Sequence, residues 1–282
     1  MLVDNIDNLD ILFSYEPILP FLRCNDCFKE KMYFIRNKIT CSICGNTYKI
    51  RKGILNCHSK KQKLTAVTFV NKIASFSSLY EDVWRKKALS ILSDSESFLT
   101  NEFKILFDSL NVDDGGIFLD IGCSTGFYSR AIAKELKNSG KNGFVIALDI
   151  SLEMLKKAQL YARVEGVEDR IFFIRANAEE LPFKPMSINK ILCSGSLNEN
   201  KNPYILLKEV KRVISEDGLF FVVNTLESKE IFTNLFQKTI SLAGLNFSDI
   251  NDYFTMFNKV GFKVLEAYSK NLLMIALLAN QK

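Results

Sequence analysis

Four cysteines form two close pairs near the start of the sequence. Cys24 and Cys27 are separated by two residues, as are Cys41 and Cys44, and thirteen residues lie between the pairs. Each pair can present two thiolates from one tight turn, and two such turns offer the four sulfur ligands of a tetrahedral Zn²⁺ site. The spacing therefore predicts a structural zinc site; a rubredoxin-type iron site and a metal-free ribbon are the alternatives.

The residues around these pairs are expected to build a small zinc ribbon. Residues 31–40 (KMYFIRNKIT) predict a β-hairpin, and residues 46–50 predict a third strand. Four thiolates leave no ligand position for water, so the metal would stabilise the fold and take no part in catalysis. The polar and basic residues 56–63 predict a linker, in which His58, the one histidine of the chain, is expected to be solvated.

A second group of candidate residues lies in and after the segment LDIGCSTG (119–126). Gly122 and Gly126 would let a ligand approach the backbone where a side chain would collide with it. These glycines are four residues apart, whereas a nicotinamide-binding loop needs glycines at i, i+2 and i+5, so a dinucleotide fits poorly. Asp149 lies 23 residues beyond Gly126, after the next apolar run, where an acidic side chain can accept both hydroxyls of a ribose.

The elements that must position these residues alternate between apolar strands and helical segments. This alternation is typical of βαβ units and a parallel sheet, which binds ligands at the carboxyl ends of its strands. The predicted strands span residues 116–121, 144–148, 171–175, 188–193 and 219–223, and the predicted helices span 128–136, 152–162 and 204–214. A turn is expected at 216–218, and two closing segments follow at 260–267 and 272–279.

Four segments of this region resemble the class I S-adenosylmethionine-dependent methyltransferases, in particular the UbiE/MenG-like "type 11" branch. LDIGCSTG is similar to the glycine-rich first motif of that family, ALDIS (147–151) to the second and RANAEELPF (175–183) to the third. KEVKRVISEDGLFFVV (208–223) is similar to its helix-turn-strand. The resemblance covers roughly residues 113–225, and the ribbon in front also resembles bacterial and plastid methyltransferases with an N-terminal zinc ribbon.

This resemblance implies an α/β, Rossmann-like fold. A seven-stranded, mostly parallel sheet would be flanked by helices, with the small zinc-ribbon module in front of it. We expect a ribbon module with an N-terminal arm at residues 1–56, a linker and helical cap over the site at 57–112, and the catalytic domain at 113–282. Tyr80 and Trp84 of the cap are expected to pack in its core.

The resemblance also implies a site for S-adenosylmethionine, which leaves as S-adenosylhomocysteine. Asp120 would orient the glycine-rich loop, and Asn177 and Ala178 would lie beside the adenine. Ser124 replaces the middle glycine usual in the family, which is compatible if this residue keeps an ordinary backbone conformation. The full predicted cofactor set is Asp120, Gly122, Cys123, Ser124, Gly126, Asp149, Ile150, Met154, Asn177, Ala178 and Ser194.

The position just after the fourth strand bears on the methyl acceptor. Methyl transfer needs mainly positioning of the acceptor and exclusion of water, although a hydroxyl acceptor usually needs a general base as well. Relatives often place histidines here, whereas this chain has Leu197, Asn198 and Glu199. Glu199 is therefore the candidate catalytic base, with a solvated rim carboxylate as the alternative, and His-assisted O-methylation is disfavoured.

The sequence thus predicts a methyltransferase that acts on a small or lipid-like metabolite. One alternative is an rRNA or tRNA methyltransferase whose ribbon binds RNA, and another is a cofactor-binding regulatory or scaffold protein without catalysis. The net charge of +5 is too modest to argue for RNA by itself. We expect a cytoplasmic protein without a membrane span, because the start lacks a signal-peptide pattern and the apolar runs are short. The basic residues of the ribbon that favour RNA are Lys29, Lys31, Arg36, Lys38, Lys49, Arg51 and Lys52.

Overall fold

The computed structural model describes residues 14–58, 96–200, 202–242 and 244–281. Residues 59–95 of the expected linker and helical cap, with Tyr80 and Trp84, lie outside the described residues. The strands are β1 (Met32–Ile35), β2 (Lys38–Cys41), β3 (Thr47–Arg51), β4 (Ile54–Asn56), β5 (Gly116–Ile121), β6 (Gly143–Asp149), β7 (Ile171–Arg175), β8 (Ile188–Ser194), β9 (Ile214–Thr225), β10 (Phe262–Lys270) and β11 (Leu273–Asn280).

The described helices lie before and between the strands from β5 to β10. They are α1 (Glu96–Ser109), α2 (Phe127–Asn138), α3 (Leu152–Val164), α4 (Ser196–Glu199), α5 (Pro203–Val213), α6 (Ile231–Ser241) and α7 (Ile250–Val260), with 3-10 turns at Glu16–Phe21, Val112–Asp114 and Glu168–Arg170. Helix α3 begins where predicted, because the Ser151 side chain accepts a hydrogen bond from the Met154 N–H. Among the described residues, no helix combines the length and the apolar character that crossing a bilayer requires.

Seven strands form the sheet that the sequence predicts. Their order is β7-β6-β5-β8-β9-β11-β10, in which β5 to β9 pair in parallel and β11 runs antiparallel to both of its neighbours. The Rossmann-like α/β fold is therefore confirmed. The turn expected at 216–218 is taken up into β9, which begins directly after α5 and reaches Thr225.

The ribbon strands extend this sheet on its β7 side. Strands β1 to β4 form an antiparallel meander, and β4 then pairs in parallel with β7, so the described strands make one eleven-stranded sheet. The linker predicted from residue 56 is wrong at its start, since Asn56 pairs with Arg175 and the Cys57 N–H donates to Arg175 O at 2.9 Å. Ile54 and Leu55 are buried on opposite faces, which holds this short strand in place.

Each face of the sheet carries its own apolar core. Helices α2 and α3 cover one face through residues such as Ile132 and Leu155. Helices α5 and α7 cover the other face, and the buried ribbon residues Cys24 and Tyr48 belong to that same cluster. The ribbon therefore shares a hydrophobic core with the carboxyl-terminal part of the chain.

Candidate cofactor site and cysteine cluster

The glycine-rich loop between β5 and α2 is shaped by contacts within the protein. Gly122 and Gly126 have φ angles of +70° and +76°, which favour glycine. A Cβ added at Gly122 would lie 1.8 Å from Ser196 Oγ, and one at Gly126 would lie 3.0 Å from Ala158 Cβ. Both glycines are therefore required by the packing of the loop itself, in addition to the ligand approach that the sequence predicts.

Ser124 departs from the expectation of an ordinary backbone conformation. Its φ of +51° lies in the left-handed region, where a residue with a Cβ is strained by about 1–2 kcal/mol. The backbone N–H of Ser124 donates to Asp149 Oδ2 at 2.9 Å, and its hydroxyl lies 3.7 Å from Met154 Sδ. These contacts hold Ser124 in the conformation that glycine adopts elsewhere in the loop.

Asp149 joins the glycine-rich loop to the start of α3. One carboxylate oxygen accepts the Ser124 N–H, and the other accepts the Ser151 N–H at 2.7 Å. Burial raises the pKa of Asp149 above its usual value, and the hydrogen bonds from Ser151 and Ser124 oppose that shift. Each oxygen keeps a lone pair for a further donor, which is the property needed to bind a diol.

Asp120 is fixed beneath the same loop. Its side chain is buried, and Oδ2 accepts a hydrogen bond from Ser129 Oγ in α2 at 2.6 Å. Burial raises the pKa of Asp120 to about 7, with a further contribution from the charge of Asp149. Cys123 is also buried, and burial with the two carboxylates raises its pKa well above 9, so its thiol stays neutral.

The segments after β6 and β7 meet beside the loop. Arg175 Nε donates to Ile150 O at 3.0 Å, and the Ala176 N–H donates to Asp149 O at 3.1 Å. Asn177 Oδ1 accepts the Glu179 N–H at 3.0 Å, which closes a turn. These contacts bring the predicted cofactor residues to one edge of the sheet, together with half-buried Ala178 and Ser194 and with buried Met154. Their role in cofactor binding stays a prediction.

Glu199 ends α4, just beyond the carboxyl end of β8. Although the residue as a whole is exposed, desolvation of its carboxylate raises the pKa of Glu199 to about 7. The negative charge of Asp149 adds to this shift. Three carboxylates thus lie at this edge, where the charge of Asp149 contributes to the raised pKa of both Asp120 and Glu199. This clustering favours a cationic ligand over an anionic one.

Asn198 is a structural residue that the sequence reasoning missed. Its buried amide donates to Thr225 O, to Asn246 O at 2.7 Å and to the Tyr253 hydroxyl, and its Oδ1 accepts the Thr225 N–H. It ties the segment after β9 to the end of β8. No local sequence pattern predicts the structural role of Asn198, because its hydrogen-bond partners lie 27 to 55 residues further along the chain.

The four predicted ligand cysteines come together at the ribbon. Their sulfur atoms all lie within 4.8 Å of one another, and the Cys24–Cys44 and Cys27–Cys41 pairs are each 3.6 Å apart. Sulfur atoms around a tetrahedral zinc at 2.3 Å would be about 3.8 Å apart, so this set fits a metal ion. Although burial opposes ionisation of Cys24, hydrogen bonds from Tyr48 and the backbone lower the pKa of its thiol to about 7.

Comparison with known proteins identifies the family. Residues 112–260, just over half of the chain, match the family described as "Methyltransferase domain". An uncharacterized chloroplastic methyltransferase of Arabidopsis thaliana is 27% identical over 66% of this chain. A demethylmenaquinone methyltransferase of Lactiplantibacillus plantarum is 29% identical over 51% of this chain and 69% of its own length. The chain spans about half, 53%, of the length of the Arabidopsis relative.

Solved structures share the fold at low sequence identity. An S-adenosylmethionine-dependent methyltransferase from Aquifex aeolicus superposes with a TM-score of 0.55 at 15% identity, covering 73% of this chain and 97% of that one. The order of the strands and the matched domain agree with this likeness. The chain belongs to the methyltransferase domain family and has the fold of the class I S-adenosylmethionine-dependent methyltransferases of UbiE-like type.

Proposed function

We propose that this protein transfers the methyl group of S-adenosylmethionine to a small or lipid-like acceptor. The observation that carries this proposal is the position of Asp149, which two backbone N–H groups hold opposite the glycine-rich loop. Its carboxylate would accept the ribose hydroxyls of the cofactor. The cofactor, when bound, supplies a methyl group activated by a cationic sulfonium.

The other predicted residues would orient that cofactor. Asn177 and Ala178, with Ile150 and Met154, would contact the adenine. Gly122, Cys123, Ser124, Gly126 and Ser194 would contact the methionine part, and Asp120 would keep the loop in position. The clustered carboxylates would attract the cationic cofactor more strongly than the product, which lacks the sulfonium charge. This difference favours product release.

Glu199 is the proposed catalytic base for an acceptor that must lose a proton. Its pKa of about 7 lies near neutral pH, where a general base works best. Some relatives carry names such as "Ubiquinone/menaquinone biosynthesis C-methyltransferase", which supports a carbon atom of a small or lipid-like molecule as acceptor. Oxygen and nitrogen acceptors are the other outcomes of an acceptor screen.

We further propose that the cysteine cluster binds one structural Zn²⁺. The support is the fit of the sulfur spacings to tetrahedral coordination. The use of four of the seven cysteines as metal ligands supports a reducing compartment such as the cytoplasm, where thiols bind metal. We retain residues 1–56, 57–112 and 113–282 as functional units, with the first unit joined to the third through β4.

Titration calorimetry with S-adenosylmethionine and S-adenosylhomocysteine tests the proposed function, with metal content measured on the same sample. We expect binding of both ligands and one zinc ion per chain. Asp149→Ala should weaken binding roughly 10- to 100-fold, because hydrogen bonds to a charged group are lost. Exposed Asp217→Ala is the matched control. An unchanged dissociation constant in Asp149→Ala would contradict the ribose assignment, and binding without turnover across an acceptor panel would favour a scaffold role.

RNA methylation is a second candidate, because one observation favours it. The seven basic ribbon residues named above are all exposed, Lys38 and Lys49 are cross-strand partners, and no acidic residue occurs between positions 31 and 56. RNA retention that falls steeply with salt would support this candidate. Its loss in a Lys38→Gln/Lys49→Gln variant would assign it to the ribbon, whereas no retention at low salt would exclude it.

A further inference from the structure

The segment that leads into Cys24 packs directly against the loop after β7. Leu22 forms an antiparallel bridge with Phe183, and both side chains are buried. Two backbone hydrogen bonds flank this bridge: the Arg23 N–H donates to Pro182 O at 3.1 Å, and the Lys184 N–H donates to Phe21 O at 2.8 Å. The backbone just before the first cysteine is thus paired with the loop almost as a strand would be.

Asn25 makes a second connection from between the paired cysteines Cys24 and Cys27. Its buried side-chain Nδ2 donates to Glu180 O at 3.3 Å, within the same loop. Its backbone N–H donates to the Tyr48 hydroxyl at 2.8 Å, and that hydroxyl lies 3.4 Å from Cys24 Sγ. Asn25 therefore contacts both the Tyr48 hydroxyl beside the Cys24 sulfur and the loop after β7.

The contacted loop begins with the residues assigned to the adenine. The Glu180 N–H donates to Asn177 O at 3.0 Å, so a shift at Glu180 is passed to the turn that carries Asn177 and Ala178. The next residue is anchored to α5, where the Leu181 N–H donates to Glu209 Oε2 at 2.8 Å. The ribbon contacts therefore act together with this anchor to hold the adenine side of the loop.

We propose that the cysteine-ligated ribbon turn, acting through Asn25, positions the adenine-side loop, so that metal occupancy at the four cysteines raises the affinity for the cofactor. This inference rests on the proposed function. A metal ion fixes the turn between Cys24 and Cys27 and thereby preorganises Asn25 and the loop that it holds. By linkage, cofactor binding strengthens metal binding by the same factor. Asn25 is thus a positioning residue, which touches neither cofactor nor metal.

The first test compares two zinc-loaded variants of the full chain. Asn25→Ala removes the bond to Glu180 O, whereas Ser42→Ala also lies beside a ligand cysteine but loses only a bond to Lys31 O within the ribbon. We expect about fivefold weaker binding of S-adenosylhomocysteine to Asn25→Ala, the value of one net hydrogen bond, at unchanged zinc content. Equal affinity of the two variants would overturn the inference.

The second test removes zinc from the wild-type protein with a chelator. Hydrogen exchange should accelerate at the amides of residues 179–184, and cofactor affinity should fall and return when zinc is added back. An unchanged exchange rate and affinity in a chain that stays folded would overturn the inference. If the metal-free chain unfolds, the variant comparison decides. Failure of the zinc-loaded wild type to bind either ligand would instead refute the proposed function.

Discussion

Replacement of Ser124 by glycine should stabilise the protein. Ser124 has a φ of +51°, a conformation that costs a residue with a Cβ about 1–2 kcal/mol and costs glycine almost nothing. The substitution also widens the unfolded ensemble, which offsets roughly 0.5–1 kcal/mol of that gain. The net increase in the free energy of unfolding should therefore be about 0.5–1 kcal/mol.

Cofactor affinity should change little in Ser124→Gly. The contact that links this residue to Asp149 uses the backbone N–H, which glycine keeps. Only the weak hydroxyl contact with Met154 Sδ at 3.7 Å is lost. We therefore expect the dissociation constant for S-adenosylhomocysteine to stay within about twofold of wild type, since no strong hydrogen bond disappears.

Urea denaturation followed by circular dichroism measures this stability difference. Ser124→Ala is the matched control, because it removes the same hydroxyl and keeps the left-handed strain. Glycine should exceed alanine by about 1 kcal/mol, and its melting temperature should be higher by about 2 °C. If Ser124→Gly is no more stable than Ser124→Ala, the backbone at this position carries no strain and the reasoning is refuted.

Two other perturbations test the edge of the sheet where the site lies. The Glu199 carboxyl is largely protonated and neutral below pH 7 and is charged above pH 7. The protein's affinity for cationic S-adenosylmethionine, relative to its affinity for S-adenosylhomocysteine, should therefore rise between pH 6 and 8. Calorimetry at several pH values should show this rise in relative affinity for the wild type. If the same rise persists in Glu199→Gln, a group other than Glu199 causes it. Asn198→Ala should lower the free energy of unfolding by about 2 kcal/mol, because the Thr225 N–H and three acceptors, including the buried Tyr253 hydroxyl, lose their partner. A loss below about 0.5 kcal/mol in urea denaturation would show that water replaces the amide.

The regular elements of the catalytic region follow closely from local sequence. The runs at 116–121 and 171–175 are mainly apolar, with Asp120 and Arg175 as their charged members, and both become strands of the sheet with the predicted limits. The N-cap at Ser151 and the convergence of the four ligand cysteines also agree with the sequence, since each depends on short spacings. Local periodicity carries enough information for such features.

Features that depend on distant partners escaped prediction. Strand β4 has only three residues, and its partner Phe173 lies more than a hundred positions away from Ile54. The left-handed Ser124 is held by Asp149, which lies 25 residues further along the chain. In both cases a tertiary contact overrides the local preference, so one-dimensional patterns alone could not reveal the outcome.

The pairing of β4 with β7 also covers one edge of the sheet of the catalytic region. Without the ribbon, β7 would expose a row of unpaired backbone groups beside Phe172, Phe173 and Ile174, a template for pairing with another chain. Strand β4 covers that row, and the Tyr15 hydroxyl adds a bond to Phe173 O at 2.9 Å. Among the described strands, the last one on this side of the sheet is β1, a strand of four residues with exposed lysines and arginines close by. The ribbon thus covers the edge at which the sheet of the catalytic region would otherwise offer a template for aggregation.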